Sequence, residues 1–151
     1  MHSDFSDLLA DFNAHNVEYL VVGAHALAAH GVVRATKDMD IWVNPTLENA
    51  ARVLRAIVKF GAPLHDLIAL DLATKGIVFQ IGVAPIRIDI ITAIDGLEFI
   101  DAWQSKVVTR FGEESAAVIS KDHLIVNKKA TGRLQDLADV ESLEGLDNAN
   151  N

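Results

Sequence analysis

The sequence predicts an α/β (α+β) fold, a mixed β-sheet flanked by helices. Three observations predict it. Short apolar runs bounded by glycine or proline alternate with longer stretches of helical period, the pattern of strands and helices sharing one core. The run 37–43 places Asp38 and Asp40 two residues apart in an otherwise apolar strand, so both side chains leave the same face of a sheet. A second apolar run, 86–91, carries Asp89.

Each element follows from local chemistry. Ser3 is positioned to cap a helix to about residue 14, with Phe5, Leu8, Leu9 and Phe12 on one face. Residues 17–22 form a valine-rich run that reads as a buried strand, ended by Gly23. Residues 24–30 make a short helix of small residues, with Gly31 as its C-terminal stop. In the strand 37–43, Asp38, Asp40 and Trp42 share one face while Met39, Ile41 and Val43 share the other. Pro45-Thr46 opens a helix to about residue 60, striped by Leu47, Ala50, Leu54, Ile57 and Val58. Within 63–75 the pattern supports one helical turn around 64–70, and Gly76 precedes a strand at 77–81. A turn at 82–85 leads into the strand 86–91, which puts Asp89 on the face of Arg87 and Ile91. Asp95-Gly96 is a turn before a helix at 96–105; 107–118 is mixed, with a strand near 117–119. Ser120 caps a helix to about 131, and a last helix spans about 134–143.

The 151 residues suit one domain, drawn here at 1–146 with a polar, flexible tail at 147–151. Half the residues are hydrophobic and 23% are charged, as in soluble globular chains. There is no cysteine, which excludes disulfides and thiolate-bound zinc. The first residues lack the basic start and apolar run of a leader peptide, and the apolar runs are far too short to span a bilayer, so a cytoplasmic location without membrane contact is expected. A net charge of -8 argues against a broad duplex-binding surface. Lys121, Lys128, Lys129 and Arg133 remain as a local basic cluster able to hold a nucleotide or an RNA end.

The carboxylates carry the functional argument. Aspartate is depleted in strand interiors and seldom buried without a partner. If the two aspartate-bearing strands are neighbours, each carboxylate pair at ~5 Å repels by roughly 3 kcal/mol at an effective dielectric of ~20. A divalent cation, a proton or a basic neighbour such as Arg34, Lys37 or Arg87 has to relieve this. Oxygen donors suit magnesium or manganese. The Gly23-Ala24 turn, between a buried strand and a helix, is a geometry that lets a phosphate approach backbone N–H groups.

Val21-Val22-Gly23-Ala24-His25-Ala26, His30-Gly31, Arg34, Thr36 and Asp38-x-Asp40-Ile41 resemble the nucleotidyltransferase superfamily that includes DNA polymerase β, and most closely its small prokaryotic members related to the abortive-infection type. Ile88-Asp89-Ile90 fits that family's third aspartate, and Leu124-Ile125-x-Asn127-Lys128, Gly132-Arg133 and Asp136-Leu137-x-Asp139 are similar to its closing helices. The resemblance implies a minimal nucleotidyltransferase fold and a two-metal mechanism. In it Asp38, Asp40 and Asp89 are catalytic and hold Mg2+ or Mn2+. Gly23, Ala24, Arg34, Thr36, Lys128 and Arg133 bind the nucleoside triphosphate. The implied acceptor is a hydroxyl on a protein, a tRNA end or a small molecule. The chain departs from the pattern at Ala24, where active relatives carry Ser or Gly, so a hydroxyl contact to phosphate is lost. That departure motivates an alternative: a weak or inactive nucleotide-binding protein, antitoxin-like, with a small helical partner in a toxin–antitoxin pair. The same carboxylates in a nuclease or phosphodiesterase would activate water instead. Trp42, on the aspartate face, is either a core aromatic or a platform for a base.

Overall fold

The computed structural model describes residues 3–36, 38–82 and 86–149. Lys37, where the sequence starts the second strand, most of the 82–85 turn, the first two residues and the last two therefore lie outside the described residues. The chain forms α1 (Ser3–Ala14), β1 (Tyr19–Val22), α2 (Gly23–Ala29), β2 (Asp38–Val43), α3 (Leu47–Phe60), α4 (Ala69–Leu72), β3 (Val78–Ile81), β4 (Arg87–Ile91), α5 (Phe99–Gln104), β5 (Val107–Phe111), β6 (Glu114–Val118), α6 (Lys121–Thr131) and α7 (Leu134–Ala149). The strands form one mixed sheet in the order β3-β4-β2-β1-β6-β5. The α/β class with a mixed sheet read from the sequence is the fold observed.

The topology places the two aspartate-bearing strands side by side. β2 pairs antiparallel with β1 and parallel with β4, while β1 pairs parallel with β6. Tyr19 is registered with Val43, so it shares the face of Met39, Ile41 and Val43, all three 0% exposed. Phe12 meets Tyr19 edge-on with centroids 5.6 Å apart, which puts α1 on that face. The α1 stripe of Phe5, Leu8, Leu9 and Phe12 is buried there, as its period requires, and α3 packs beside it through Ala50, Val53, Ala56 and Ile57. Thr46 caps α3 by accepting from the Asn49 backbone N–H, and Gly61 ends it in the left-handed region. The buried Asn49 amide accepts from the Glu18 N–H and donates to the Glu18 and Asn44 carbonyls, tying the start of β1 to the end of β2. With one sheet face sealed by α1 and α3, the opposite face carries the aspartates.

Three elements differ from the sequence expectation. Residues 107–118 form a complete hairpin rather than a single strand near 117–119, because cross-strand pairing from Val107↔Val118 to Phe111↔Glu114 overrides the weak strand preference of Glu114, Ala116 and Ala117. The short helix after residue 63 forms at Ala69–Leu72, later than the 64–70 turn expected. The last helix runs through Ala149, past the end expected at about residue 143. Among the described residues no helix is long and apolar enough to cross a membrane.

Candidate active site

The turn between β1 and α2 presses directly on the carboxylate face. Val22 is registered with Asp40, and the next residue, Gly23, has φ +67. A Cβ on Gly23 would lie 2.4 Å from Asp40 Oδ2, so only glycine leaves room for the carboxylate as placed. Ala24 follows as a half-buried residue in the first turn of α2, and no side chain caps that helix. Thr36 steadies the approach to β2: its hydroxyl donates to the Asp38 carbonyl at 3.1 Å and accepts from the Asp38 N–H at 3.2 Å. Gly23→Ala is expected to cost about 1–2 kcal/mol for the left-handed backbone alone, and to push the Asp40 carboxylate aside. Urea denaturation checks it; an unchanged midpoint would show that the turn relaxes freely.

The parallel β2–β4 register sets Asp38 against Arg87 and Asp40 against Asp89. Arg87 Nη2 lies 3.2 Å from Asp38 Oδ2, and Arg87 Nε lies 3.2 Å from Asp89 Oδ1. Nη2 also donates to Asp89 Oδ2 at 3.3 Å. The fit is loose: Arg87 Nε and Asp89 Oδ1 are both buried, yet neither makes an aligned hydrogen bond. No ion pair among the described residues includes Asp40. Burial pushes its carboxyl above the ordinary range, and the nearby Asp89 and Asp38 carboxylates push it further, against a weaker pull from Arg87 and Lys128. Burial raises Asp89 as well, with Arg87 opposing and Asp38 adding to the rise.

The resemblance implies divalent ions at these donors. As they stand, no three His, Cys, Asp or Glu side chains among the described residues are gathered closely enough to share an ion, and Arg87 sits among the aspartates. The chemistry of the set fits nevertheless. Three carboxylates face one way from adjacent strands, one has a buried oxygen with no aligned hydrogen bond, and another has no ion partner among the described residues. Hard oxygen donors in excess of positive charge are what magnesium and manganese take.

The residues read as phosphate ligands are engaged elsewhere. Arg34 makes a two-pronged pair with Asp139, one arm at 3.1 Å, rather than reaching the Gly23 turn. Lys128 Nζ lies 3.0 Å from Asp139 and 3.3 Å from Asp136. Arg133 Nε donates to Asp136 at 2.7 Å, while its side chain is 74% exposed. Gln135 gives Asp139 a further donor at 3.1 Å. The Asp136 carboxyl is held below the ordinary range, chiefly by the Arg133 hydrogen bond. Burial pushes Asp139 up, but the bonds from Lys128, Arg34 and Gln135 prevail and hold it low. This ion cluster joins the 32–36 segment to α6 and α7. It also keeps Lys128 close enough to the strand carboxylates for its charge to act on Asp40.

Two residues the sequence reading named only in passing hold the charged groups together in the structure. Arg87 was visible on the face of Asp89 by its two-residue spacing, but its bridge to Asp38 depends on strand register. Asp139 was visible only as part of the run Asp136-Leu137-x-Asp139 that resembles the closing helices; its burial was not. Trp42 is 1% exposed and packs edge-on against Phe99 with centroids 5.1 Å apart, so it is a core aromatic and not a platform for a base. A cavity of about 200 Å3 beyond it, lined by Asn44, Lys75, Ile94 and Phe99 among others, includes none of the three aspartates. His30 Nε2 bonds the Ile119 carbonyl at 2.7 Å and serves packing.

No family model matches the chain, and no curated protein matches it in sequence. Among solved structures it is similar to a proposed nucleotidyltransferase, TM1012, from Thermotoga maritima. That alignment has a TM-score of 0.59 and 16% identity, and covers 94% of this chain and 89% of that one. It is equally similar to the lincosamide antibiotic adenylyltransferase LnuA, solved with lincomycin bound. Here the TM-score is 0.59 and the identity 13%, over 95% of this chain and 96% of that one. Both alignments run over nearly the full length of each chain, and the chain shares the fold of these two structures, the nucleotidyltransferase fold.

Proposed function

We propose that the chain is a nucleotidyltransferase that moves a nucleoside monophosphate from a nucleoside triphosphate to a hydroxyl group. The single observation that carries this reading is the register of Asp40 opposite Asp89, with Asp38 on the same face and the Gly23 turn against Asp40. The acceptor oxygen attacks the α-phosphorus in line, the bond from that phosphorus to pyrophosphate breaks, and the hydroxyl proton passes to a carboxylate. Asp89 suits that last role, because burial raises its proton affinity and its Oδ1 has no aligned donor. Asp38, Asp40 and Asp89 would hold Mg2+ or Mn2+, which when bound neutralises triphosphate charge and acidifies the acceptor hydroxyl. Gly23 and Ala24 offer backbone to the phosphates, Thr36 fixes the start of β2, and the exposed guanidinium of Arg133 is the basic group freest to reach a leaving phosphate. Arg34 and Lys128 contribute their charge from the Asp139 cluster.

A small molecule is the acceptor class best supported. A net charge of -8 disfavours an RNA acceptor, and the similar adenylyltransferase LnuA was solved with a small antibiotic bound. The alternative of nucleotide binding without turnover is favoured by one observation: Arg34 and Lys128 are tied to buried Asp139. The test is incubation with each of the four α-labelled nucleoside triphosphates, Mg2+ or Mn2+, and a panel of hydroxyl-bearing acceptors, following label transfer and pyrophosphate release. Transfer that disappears in Asp40→Asn supports the enzyme. Nucleotide binding by calorimetry with no transfer supports the alternative, and neither binding nor transfer overturns both.

A further inference from the structure

The geometry points to Arg87 as a built-in counter-cation, which holds Asp38 and Asp89 together while no divalent ion is bound and must release them for an ion to enter. The inference rests on the carboxylate site proposed above but is separate from the transfer it performs.

Four observations lead to it. Arg87 is the residue directly opposite Asp38 across the parallel β2–β4 pair, and it is two residues before Asp89, so all three side chains leave the sheet on one side. One guanidinium reaches both carboxylates, through Nη2 to Asp38 at 3.2 Å and through Nε and Nη2 to Asp89 at 3.2 and 3.3 Å. These separations exceed the roughly 2.7–2.9 Å of a well-seated charge-assisted bond, and the Nε–Oδ1 approach is not aligned as a hydrogen bond. Finally, the Arg87 side chain is 36% exposed, so it can swing into solvent without opening the core.

The charges decide what this arrangement does. Three carboxylates carry three formal negative charges on one small area, and Arg87 offsets one of them, leaving Asp40 without a bonded cation among the described residues. The guanidinium therefore makes the ion-free state tolerable without satisfying it. A divalent cation and Arg87 compete for the same oxygens, Asp38 Oδ2 and both oxygens of Asp89. Arg87, once displaced, keeps its charge within side-chain reach of the site, where a triphosphate brings negative charge. A guanidinium suits that second role, because its planar fork can leave a carboxylate pair for a phosphate without changing protonation. Arg87 thereby lowers the affinity of the ion-free protein for a divalent ion, and nucleotide favours ion uptake by giving Arg87 somewhere to go.

The test measures Mn2+ binding directly, by calorimetry and by the electron-spin signal of the bound ion, on the intact chain without nucleotide. Arg87→Gln is expected to bind Mn2+ about tenfold or more tightly than wild type, since the competing charge is gone. It is also expected to melt at a lower temperature than wild type in EDTA, with Mn2+ restoring more of the difference than it does for wild type. Arg87→Lys keeps the charge on a single-point donor and is expected to fall between the two, which guards against a folding defect in the glutamine variant. Mn2+ binding by wild type with equal or weaker affinity in both variants overturns the counter-cation role and leaves the transfer reading standing. No Mn2+ binding by any of the three proteins, with or without ATP, overturns both.

Discussion

Asp40→Asn is expected to lower the rate of nucleotidyl transfer by about 10²–10³-fold or more, the scale on which removing one preorganised electrostatic group acts, while making the ion-free protein more stable. The two effects have one cause. Asp40 is pressed between Gly23 and the opposing Asp89, with no ion pair among the described residues, and its folded carboxyl is raised by burial and by two like charges. A raised carboxyl binds its proton more tightly in the folded state than in the unfolded chain. Its charge therefore costs stability above the ordinary carboxylate value of about 3.9, and the cost grows until the pH passes the folded value. Asparagine keeps the shape and removes the charge. In EDTA at pH 7 the variant is expected to melt about 2–4 °C higher, the change that roughly 1 kcal/mol produces in a chain of this size. Toward pH 4 the gain should shrink, because the raised Asp40 carboxyl takes up its proton in the folded wild type as the pH falls. Calorimetric melts at the two pH values with matched transfer assays check this. A lower melting temperature at pH 7 would mean that Asp40 is structural rather than held for chemistry.

The second large effect lies away from the strand carboxylates. Asp139→Ala is expected to destabilise the fold by about 3–5 kcal/mol, the penalty for removing one member of a buried ion cluster. Asp139 is 0% exposed and takes Arg34 from the loop before β2, Lys128 from α6 and Gln135 from α7. Without it, Lys128, whose side chain is 12% exposed, keeps only Asp136 as an ion partner among the described residues. Asp139→Asn retains the acceptor oxygen and should lose less. The sign of the acid dependence is the reverse of that for Asp40. Asp136 and Asp139 are held below the ordinary carboxylate range, so their contribution is complete above about pH 4. It is lost as the pH falls through their folded values. Urea unfolding across the acid range should give a flatter stability curve for Asp139→Asn than for wild type. A cost below 1 kcal/mol for the alanine variant would show that the cluster is solvated and structurally idle.

These two acidic groups were not equally legible. The strand acids stood out because aspartate is out of place in a run such as Asp38-Met39-Asp40-Ile41, and the two-residue period fixes which side chains share a face. Asp136 and Asp139 sit in a helix where i, i+3 acids are ordinary, and nothing local distinguishes a solvated helical acid from a buried one. The ion partners of the basic residues were hidden for the same reason. Arg34, Lys128 and Arg133 were read against an expected phosphate, whereas the ion partners they find are the α7 acids. The β5–β6 hairpin was missed because the alanines and glutamate of Glu114–Val118 are weak strand formers that only a partner strand organises.

By itself the sequence determined the α/β class, the order of most elements, the glycine bend after β1 and the shared face of Asp38 and Asp40. Each of these follows from the chemistry of residues near one another in the chain: apolar period, turn preference and the alternation of side chains along a strand. Only the tertiary structure decided that β4 lies beside β2 in the register that sets Asp89 against Asp40 and Arg87 against Asp38, and that Asp139 is buried beneath Arg34 and Lys128. Strand order and burial are fixed by which apolar faces the whole chain can cover together, and a one-residue slip of β4 would turn Arg87 and Asp89 to the other side of the sheet, away from Asp38 and Asp40.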